Sequence, residues 1–234
     1  MTDLNGRIAL VTGANRGLGA AFVTGLLDHG ATKVYAAARR PETVAVRDPR
    51  VVPLALDVTD PESIRRAAET ASDISVLVNN AGIAVNQSLV SGDLQEIRRE
   101  FDTNFWGPVL VTRALAPAIE RNGGGAIVNM HSALSWLALG SYSATKAALW
   151  SASNSARVEL APAGIQVVGV HVGYVDTEMA AGAEGVKVPP AQVVDEALEA
   201  VRAGEAEAIV GDVARHVKSK LHEDVRALYP QLAR

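Results

Sequence analysis

No cysteine occurs in the 234 residues, which excludes disulfides, thiolate metal sites and a cysteine nucleophile. The same absence fits a reducing compartment. There is no surplus of positive charge either. The 22 Lys and Arg against 26 Asp and Glu leave a formal net charge of −4, so nothing points to a nucleic-acid partner. No apolar run approaches the ~20 residues needed to cross a bilayer. The opening "MTDLNGRIALVTG" has no basic segment followed by a long apolar one, so no signal peptide is expected. Repeats, low-complexity tracts and linkers are missing too. The expectation is one soluble cytoplasmic domain over 1–234, with no metal and no membrane partner.

What is present is an alternation. "RIALVT" (7–12), "KVYAAA" (33–38), "VVPLAL" (51–56), "ISVLVN" (74–79), "AIVNMH" (126–131), "IQVVGVHV" (165–172) and "EAIVG" (207–211) read as strands. Most are apolar throughout, as parallel strands covered on both faces should be. Between them 17–29, 61–71, 92–121, 142–162 and 190–203 carry helical spacing, with start signals at Asp60-Pro61-Glu62 and Ser91-Gly92-Asp93. The pattern predicts an α/β domain, a doubly wound and mostly parallel seven-stranded sheet with helices on both faces.

"LVTGANRGLGAAF" puts Gly13, Gly17 and Gly19 between the first strand and the first helix. Such a turn lets a pyrophosphate approach the backbone at a helix N-terminus, where free N–H groups and the dipole favour negative charge. "NNAG" (79–82) follows the fourth strand, and Asn104 lies in a long predicted helix. Tyr142 and Lys146 form Y-x-x-x-K, and "VGYVDT" (172–177) closes the sixth strand. With the wide G-x-x-x-G-x-G spacing, these motifs resemble those of the short-chain dehydrogenase/reductase family, in order and over essentially the whole chain. The resemblance implies a Rossmann-type fold with a cofactor half over about 1–130 and a catalytic and substrate half over about 131–234.

It further implies a nicotinamide cofactor held by Gly13, Asn15, Arg16, Gly17, Leu18 and Gly19. Asp57 and Val58 would lie beside the adenine, Asn80, Ala81 and Gly82 near the ribose, and Gly173, Val175 and Thr177 over the nicotinamide. Asp57 reads equally well as the helix cap of "DVTDPE". An NAD site usually carries an acid at the end of the second strand. Here Ala38 stands there, followed by Arg39 and Arg40. A carboxylate would repel a 2′-phosphate, whereas guanidinium binds it with paired charged hydrogen bonds. NADP(H) is therefore expected, with Arg39 and Arg16 as the clamp.

Tyr142 and Lys146, four apart at the start of a predicted helix, share one face. A free phenol has a pKa of about 10, and a neighbouring ammonium together with a positive nicotinamide ring is expected to draw it toward the working range. The resemblance makes Tyr142 the acid that protonates a carbonyl oxygen and Lys146 also the holder of the nicotinamide ribose. It gives Ser132 the task of fixing the carbonyl oxygen and Asn104 that of positioning a relay water. Family members commonly place the serine thirteen positions before the tyrosine; here the separation is ten, and counting back thirteen gives Asn129. The strand "IVNMHS" points to Ser132, with Ser135 as fallback, and to a trimmed loop "ALSWLALGS" between two fixed elements. His131 reads as structural, because no nucleophile-elbow pattern surrounds the serine.

Val85, Ser135, Trp136, Leu137, Leu139, Tyr174 and Met179 are expected near the carbonyl. They are mostly apolar, which suits a small hydrophobic ketone or aldehyde. "YVDTEMAAGAEGVKVPP" after Gly173 suits a mobile lid. Surplus apolar positions on the helices bearing Asn104 and Tyr142, Trp150 among them, suggest self-association as a homodimer or homotetramer. An NADPH-dependent carbonyl reductase is expected. The alternatives are an alcohol dehydrogenase running in the oxidative direction and a non-catalytic NADP(H)-binding sensor or regulator.

Overall fold

The computed structural model describes residues 2–232. Seven strands form one sheet: β1 (Ile8–Thr12), β2 (Lys33–Ala38), β3 (Val51–Ala55), β4 (Val76–Asn79), β5 (Gly125–Met130), β6 (Ile165–Val172) and β7 (Glu207–Val210). Their spatial order is β3-β2-β1-β4-β5-β6-β7, and every pairing is parallel. All seven predicted strands are present, displaced by at most two residues at either end. The winding reverses between β1 and β4, which opens a crevice beyond their carboxyl ends.

Alternate strand residues go to opposite faces. Ala9, Val11, Val34, Val76, Val128 and Val170 pack beneath α1 (Gly17–Asp28) and α6 (Pro190–Ala203). Leu10, Tyr35, Leu77, Ile127 and Val167 pack beneath α2 (Pro61–Thr70), α4 (Gly107–Arg121) and α5 (Gly140–Leu160). Pro53 is tolerated because β3 is an edge strand.

Asp60 caps α2 by accepting from the Glu62 N–H at 3.0 Å. Asp93 caps α3 (Leu94–Phe101) in the same way, through the N–H groups of Gln95 and Glu96. The single helix predicted over 92–121 is corrected: a π turn at Asp102–Trp106 separates α3 from α4. A π turn changes which carbonyl each N–H meets, and apolar spacing carries no record of that. A seventh helix, α7 (Gly211–Ser219), was not anticipated. It is nine residues long and buries Ala214 and Val217 but few other side chains, too little apolar pattern to register. Among the described residues no helix is long and apolar enough to cross a membrane.

Candidate active site

The crevice begins at the glycine turn. Gly13 and Gly17 adopt φ of +66° and +53°, a region that strains any residue with a Cβ. Gly19 packs so closely that a Cβ there would lie 2.1 Å from the Gly13 carbonyl oxygen and 2.6 Å from Asn80 Nδ2. Thr12 joins the ends of β1 and β4. Its hydroxyl accepts the N–H groups of Asn80 and Ala81, both at 3.0 Å, while Asn80 Nδ2 donates to the carbonyls of Thr12 and Gly13 at 2.9 and 3.2 Å. No side chain caps α1 and no acid stands in its first turn, so its positive end is left for an external anion. The turn, with Asn15 and Leu18 half-buried in it, fits a pyrophosphate.

At the end of β2, Ala38 is buried, and Arg39 and Arg40 are exposed without an ion-pair partner among the described residues. Arg16 differs from expectation: its guanidinium pairs with Glu178 on the loop after β6. Asp57 is not the helix cap, which is Asp60. Its carboxylate accepts from the N–H and hydroxyl of Thr59 at 2.9 and 2.7 Å, holding the turn into α2. Val58 is buried against Gly107, where a Cβ would come within 2.9 Å of Val58 Cγ2. Thr177 lies over Gly17, its Cγ2 3.4 Å from where a Cβ would be. Beyond Gly173, a bridge between Val175 and Val188 pins the base of the 174–189 loop.

The reacting groups gather beside Gly82. Ser132, just past β5, accepts from the Leu134 N–H at 3.1 Å and donates to the Val172 carbonyl at 3.4 Å. Its hydroxyl also lies beside the Tyr142 phenol and favours the ionised form of that group. Lys146 is buried, donates from Nζ to the Met130 carbonyl at 2.7 Å and lies 5.6 Å from the centre of the Tyr142 ring. Asn104, in the π turn, is fully buried. Its Oδ1 accepts from the Ile83 N–H at 2.9 Å, and its Nδ2 donates to the Ile83 carbonyl at 2.8 Å and the Thr145 hydroxyl at 3.1 Å. The amide therefore fixes the segment after Gly82. A Cβ on Gly82 would come within 3.2 Å of Asn104 Oδ1 and 3.9 Å of Lys146 Nζ.

The serine ambiguity resolves geometrically. Asn129 points into the core, accepting from Asn79 Nδ2 and donating to Ser153 Oγ, both at 2.8 Å. Ser135 is buried and accepts from the Ser132 N–H at 3.3 Å, closing a capping box over the 133–135 turn. Its hydroxyl oxygen is thus used within that turn. Ser132 is the hydroxyl beside the phenol.

Burial pushes the Tyr142 phenol up to about 12, with the charge of Glu100 acting in the same sense and the Ser132 hydroxyl opposing both. Burial also lowers Lys146 to about 8, against the pull of Glu100. In the chain by itself the phenol thus stands above its free value. A low-dielectric setting disfavours both charged forms, and the ammonium hydrogen-bonds a carbonyl oxygen, not the phenol.

Trp136 also departs from expectation. It is buried behind Ser132, stacked 3.9 Å from the His171 ring, edge-on to Trp150 at 6.0 Å and 4.5 Å beneath Lys218 Nζ. His171 Nδ1 lies 3.3 Å from the Ser132 carbonyl oxygen. Glu207 completes the group by accepting from Trp150 Nε1 and Lys218 Nζ, each at 2.7 Å. Trp150, half-buried, therefore has its Nε1 and ring edge engaged inside the chain. His131 is buried against Gly169 and stacked on His171, and burial holds it neutral, well below its usual range. Val85 and Leu137 are half-buried, while Leu139, Tyr174 and Met179 are exposed on loops at the strand ends. Glu100, fully buried on α3, went unrecognised because a charge on an amphipathic helix reads as solvent-facing. Among the described residues no group of three or more His, Asp or Glu side chains could hold a metal ion.

With this geometry established, comparison with known proteins is direct. The sequence profile of the short chain dehydrogenase family matches residues 7–187. The chain is 34% identical to 1-deoxy-11-beta-hydroxypentalenate dehydrogenase of Streptomyces exfoliatus, over 76% of this chain and 71% of that one. It is 31% identical to the ketoacyl reductase HetN of Nostoc, over 90% of this chain and 80% of the relative. Among solved structures, a short chain dehydrogenase from Burkholderia cenocepacia in complex with NADP superposes with a TM-score of 0.93 at 39% identity, covering 99% of both chains. An NADPH-bound carbonyl reductase from chicken fatty liver superposes with a TM-score of 0.77 at 29% identity, covering 84% of this chain and 91% of that one. The chain is an oxidoreductase of the short-chain dehydrogenase family.

Proposed function

We propose that the protein uses NADPH to reduce a small hydrophobic ketone or aldehyde to the alcohol, with Tyr142 as general acid. The observation that carries this is the convergence of Ser132, Tyr142 and Lys146 beside Gly82, next to an uncapped glycine turn. Likeness to structures solved with NADP and NADPH, and the pair Arg39–Arg40 where an acid would select NAD, support the choice of cofactor.

Gly13, Gly17 and Gly19 with the start of α1 would hold the pyrophosphate, Arg39 and Arg40 the 2′-phosphate, and Lys146 the nicotinamide ribose. Arg16 joins them only by leaving Glu178. When bound, the cofactor supplies hydride to the carbonyl carbon. Ser132 Oγ donates to the carbonyl oxygen and orients it. Tyr142, protonated in these surroundings, passes its proton to that same oxygen. The Lys146 ammonium, on the same helix face, stabilises the phenolate left behind. Asn104 keeps Ile83 and its neighbours in register on the substrate side. Residues 1–130 thus form the cofactor half of the domain and 131–234 the catalytic half. Assembly as a homodimer or homotetramer belongs to the same proposal.

Two relatives, a 1-deoxy-11-beta-hydroxypentalenate dehydrogenase and a 3-alpha-(or 20-beta)-hydroxysteroid dehydrogenase, favour a second direction, oxidation of a secondary alcohol with NADP⁺. The test is NADPH consumption against a panel of aldehydes and ketones, and NADP⁺ reduction against the matching alcohols, each beside Tyr142→Phe. Loss of about 100-fold or more in turnover, the usual scale for a general acid, with NADPH binding retained is the expected outcome. NADPH binding without turnover on every substrate would instead make the chain a sensor.

A further inference from the structure

Glu100 is fully buried at the end of α3, four residues before Asn104. Its two oxygens are divided between two elements. Oε1 accepts the N–H groups of Val85 and Asn86 at 2.5 and 3.3 Å, on the segment that follows Gly82. Oε2 accepts from the hydroxyl of Ser141, the residue immediately before Tyr142. Ser141 is itself fully buried and accepts from the Gln87 N–H at 2.9 Å. An isolated carboxylate in such a place would be costly to bury. Here every partner is a donor, and none is a cation.

We propose that Glu100 is a positioning residue that locks the substrate-side segment 85–87 to the N-terminal turn of α5 and fixes the electrostatic setting in which Tyr142 and Lys146 work. The proposal rests on Tyr142 being the acid.

Two effects follow, and they are separable. Mechanically, the carboxylate sets the distance between Tyr142 and the wall facing it. Electrostatically, its charge opposes ionisation of the phenol and supports the ammonium of Lys146. The other charged or titratable groups about it are few. Arg99 on α3 points to Glu96, and His131 at the end of β5 is held neutral. The segment Ile83–Gln87 carries no charge. Lys146 and Tyr142 are therefore the groups that respond.

Glu100→Gln keeps the shape: the amide oxygen still serves Val85 and Asn86, and the amide nitrogen faces a hydroxyl able to accept. Glu100→Asp keeps the charge and withdraws it by one methylene. The substrate-free readout is NMR titration of ε-13C-lysine, with Lys146 assigned through Lys146→Arg among five lysines. In Glu100→Gln the Lys146 titration is expected to move below its present value of about 8 by roughly half a unit or more, the scale of one nearby charge inside a protein. In Glu100→Asp it should stay close to the native value. NADPH turnover on the carbonyl panel should show the alkaline limb of Glu100→Gln displaced to lower pH in parallel. Glu100→Asp should lose turnover number, about 10-fold, at an unchanged KM for NADPH. A Lys146 titration identical in Glu100→Gln and the native protein overturns the proposal whatever the enzyme does. Full turnover in Tyr142→Phe would instead overturn the assigned acid, and the NMR result tells the two failures apart.

Discussion

The close approach of Gly19 to the glycine turn gives the sharpest test of the cofactor end. In Gly19→Ala the new methyl would start 2.1 Å from the Gly13 carbonyl oxygen and 2.6 Å from Asn80 Nδ2. Ordinary contact begins near ~3.5 Å, so the turn and the helix must separate by more than about 1 Å. Neither side yields easily. The oxygen belongs to backbone, and Asn80 is held by its bonds to Thr12 and Gly13. Overpacking of this kind costs roughly 1–3 kcal/mol, and a broken Asn80 bond adds about 1 kcal/mol. Alanine's better helix propensity returns roughly 1 kcal/mol. The net is a loss of about 2 kcal/mol, or roughly 4–8 °C in melting temperature for a chain of this size. Scanning calorimetry reads that loss, and calorimetric titration with NADPH should show binding weakened by about 10-fold or more, since the displaced backbone is the cradle itself. Gly182→Ala, where nothing lies within 4 Å of the added carbon, is the control and should leave both quantities unchanged. A Gly19→Ala protein that melts and binds NADPH like the native one would refute the close approach of helix and turn.

Three further outcomes are expected. Thr12→Val deprives the Asn80 and Ala81 N–H groups of their shared acceptor and should destabilise by about 2 kcal/mol, read by urea denaturation. Arg39→Ala should raise the Kd for NADPH at least ~10-fold and leave that for NADH nearly unchanged; equal losses would remove the 2′-phosphate assignment. Lys146→Met should abolish turnover yet stabilise the fold at neutral pH. The native lysine titrates at about 8 when folded against 10.5 when free, so the unfolded chain holds more protons between those values and native stability rises with pH across that window. The penalty is fully present below pH 8, and the melting-temperature advantage of Lys146→Met should therefore be largest at pH 7 and shrink toward pH 10.5.

Much of this architecture is legible in the sequence, because its signals are local. Strands buried on both faces announce themselves as short β-branched runs, and Asp60 and Asp93 mark helix starts through hydrogen bonds within three residues. The glycine turn is equally local. What stays hidden depends on contacts between distant segments. Trp136 looked like a pocket residue because its loop precedes Tyr142, but His171, Trp150 and Lys218 arrive from three other elements to stack around it. Arg16 could not reveal that Glu178, far along the chain, would claim it. The electrostatics of Tyr142 stay hidden for a related reason: spacing reports that a lysine is near, not that the lysine is buried and that a third group, Glu100, opposes the phenolate.

The five-residue π turn at Asp102–Trp106 has a consequence for how this chain can change. One surplus residue in an otherwise regular helix advances everything after it by about 100° around the axis. Removing a single residue there would restore uniform α-helical winding and swing Asn104 off Ile83, or else rotate the core-facing Val111, Leu115 and Ile119 of α4 out of the interior. The chain can satisfy both sets of neighbours only with the irregularity in place, so single-residue deletions should be far less tolerated in this stretch than in the exposed loops around Gly182 and Gly185.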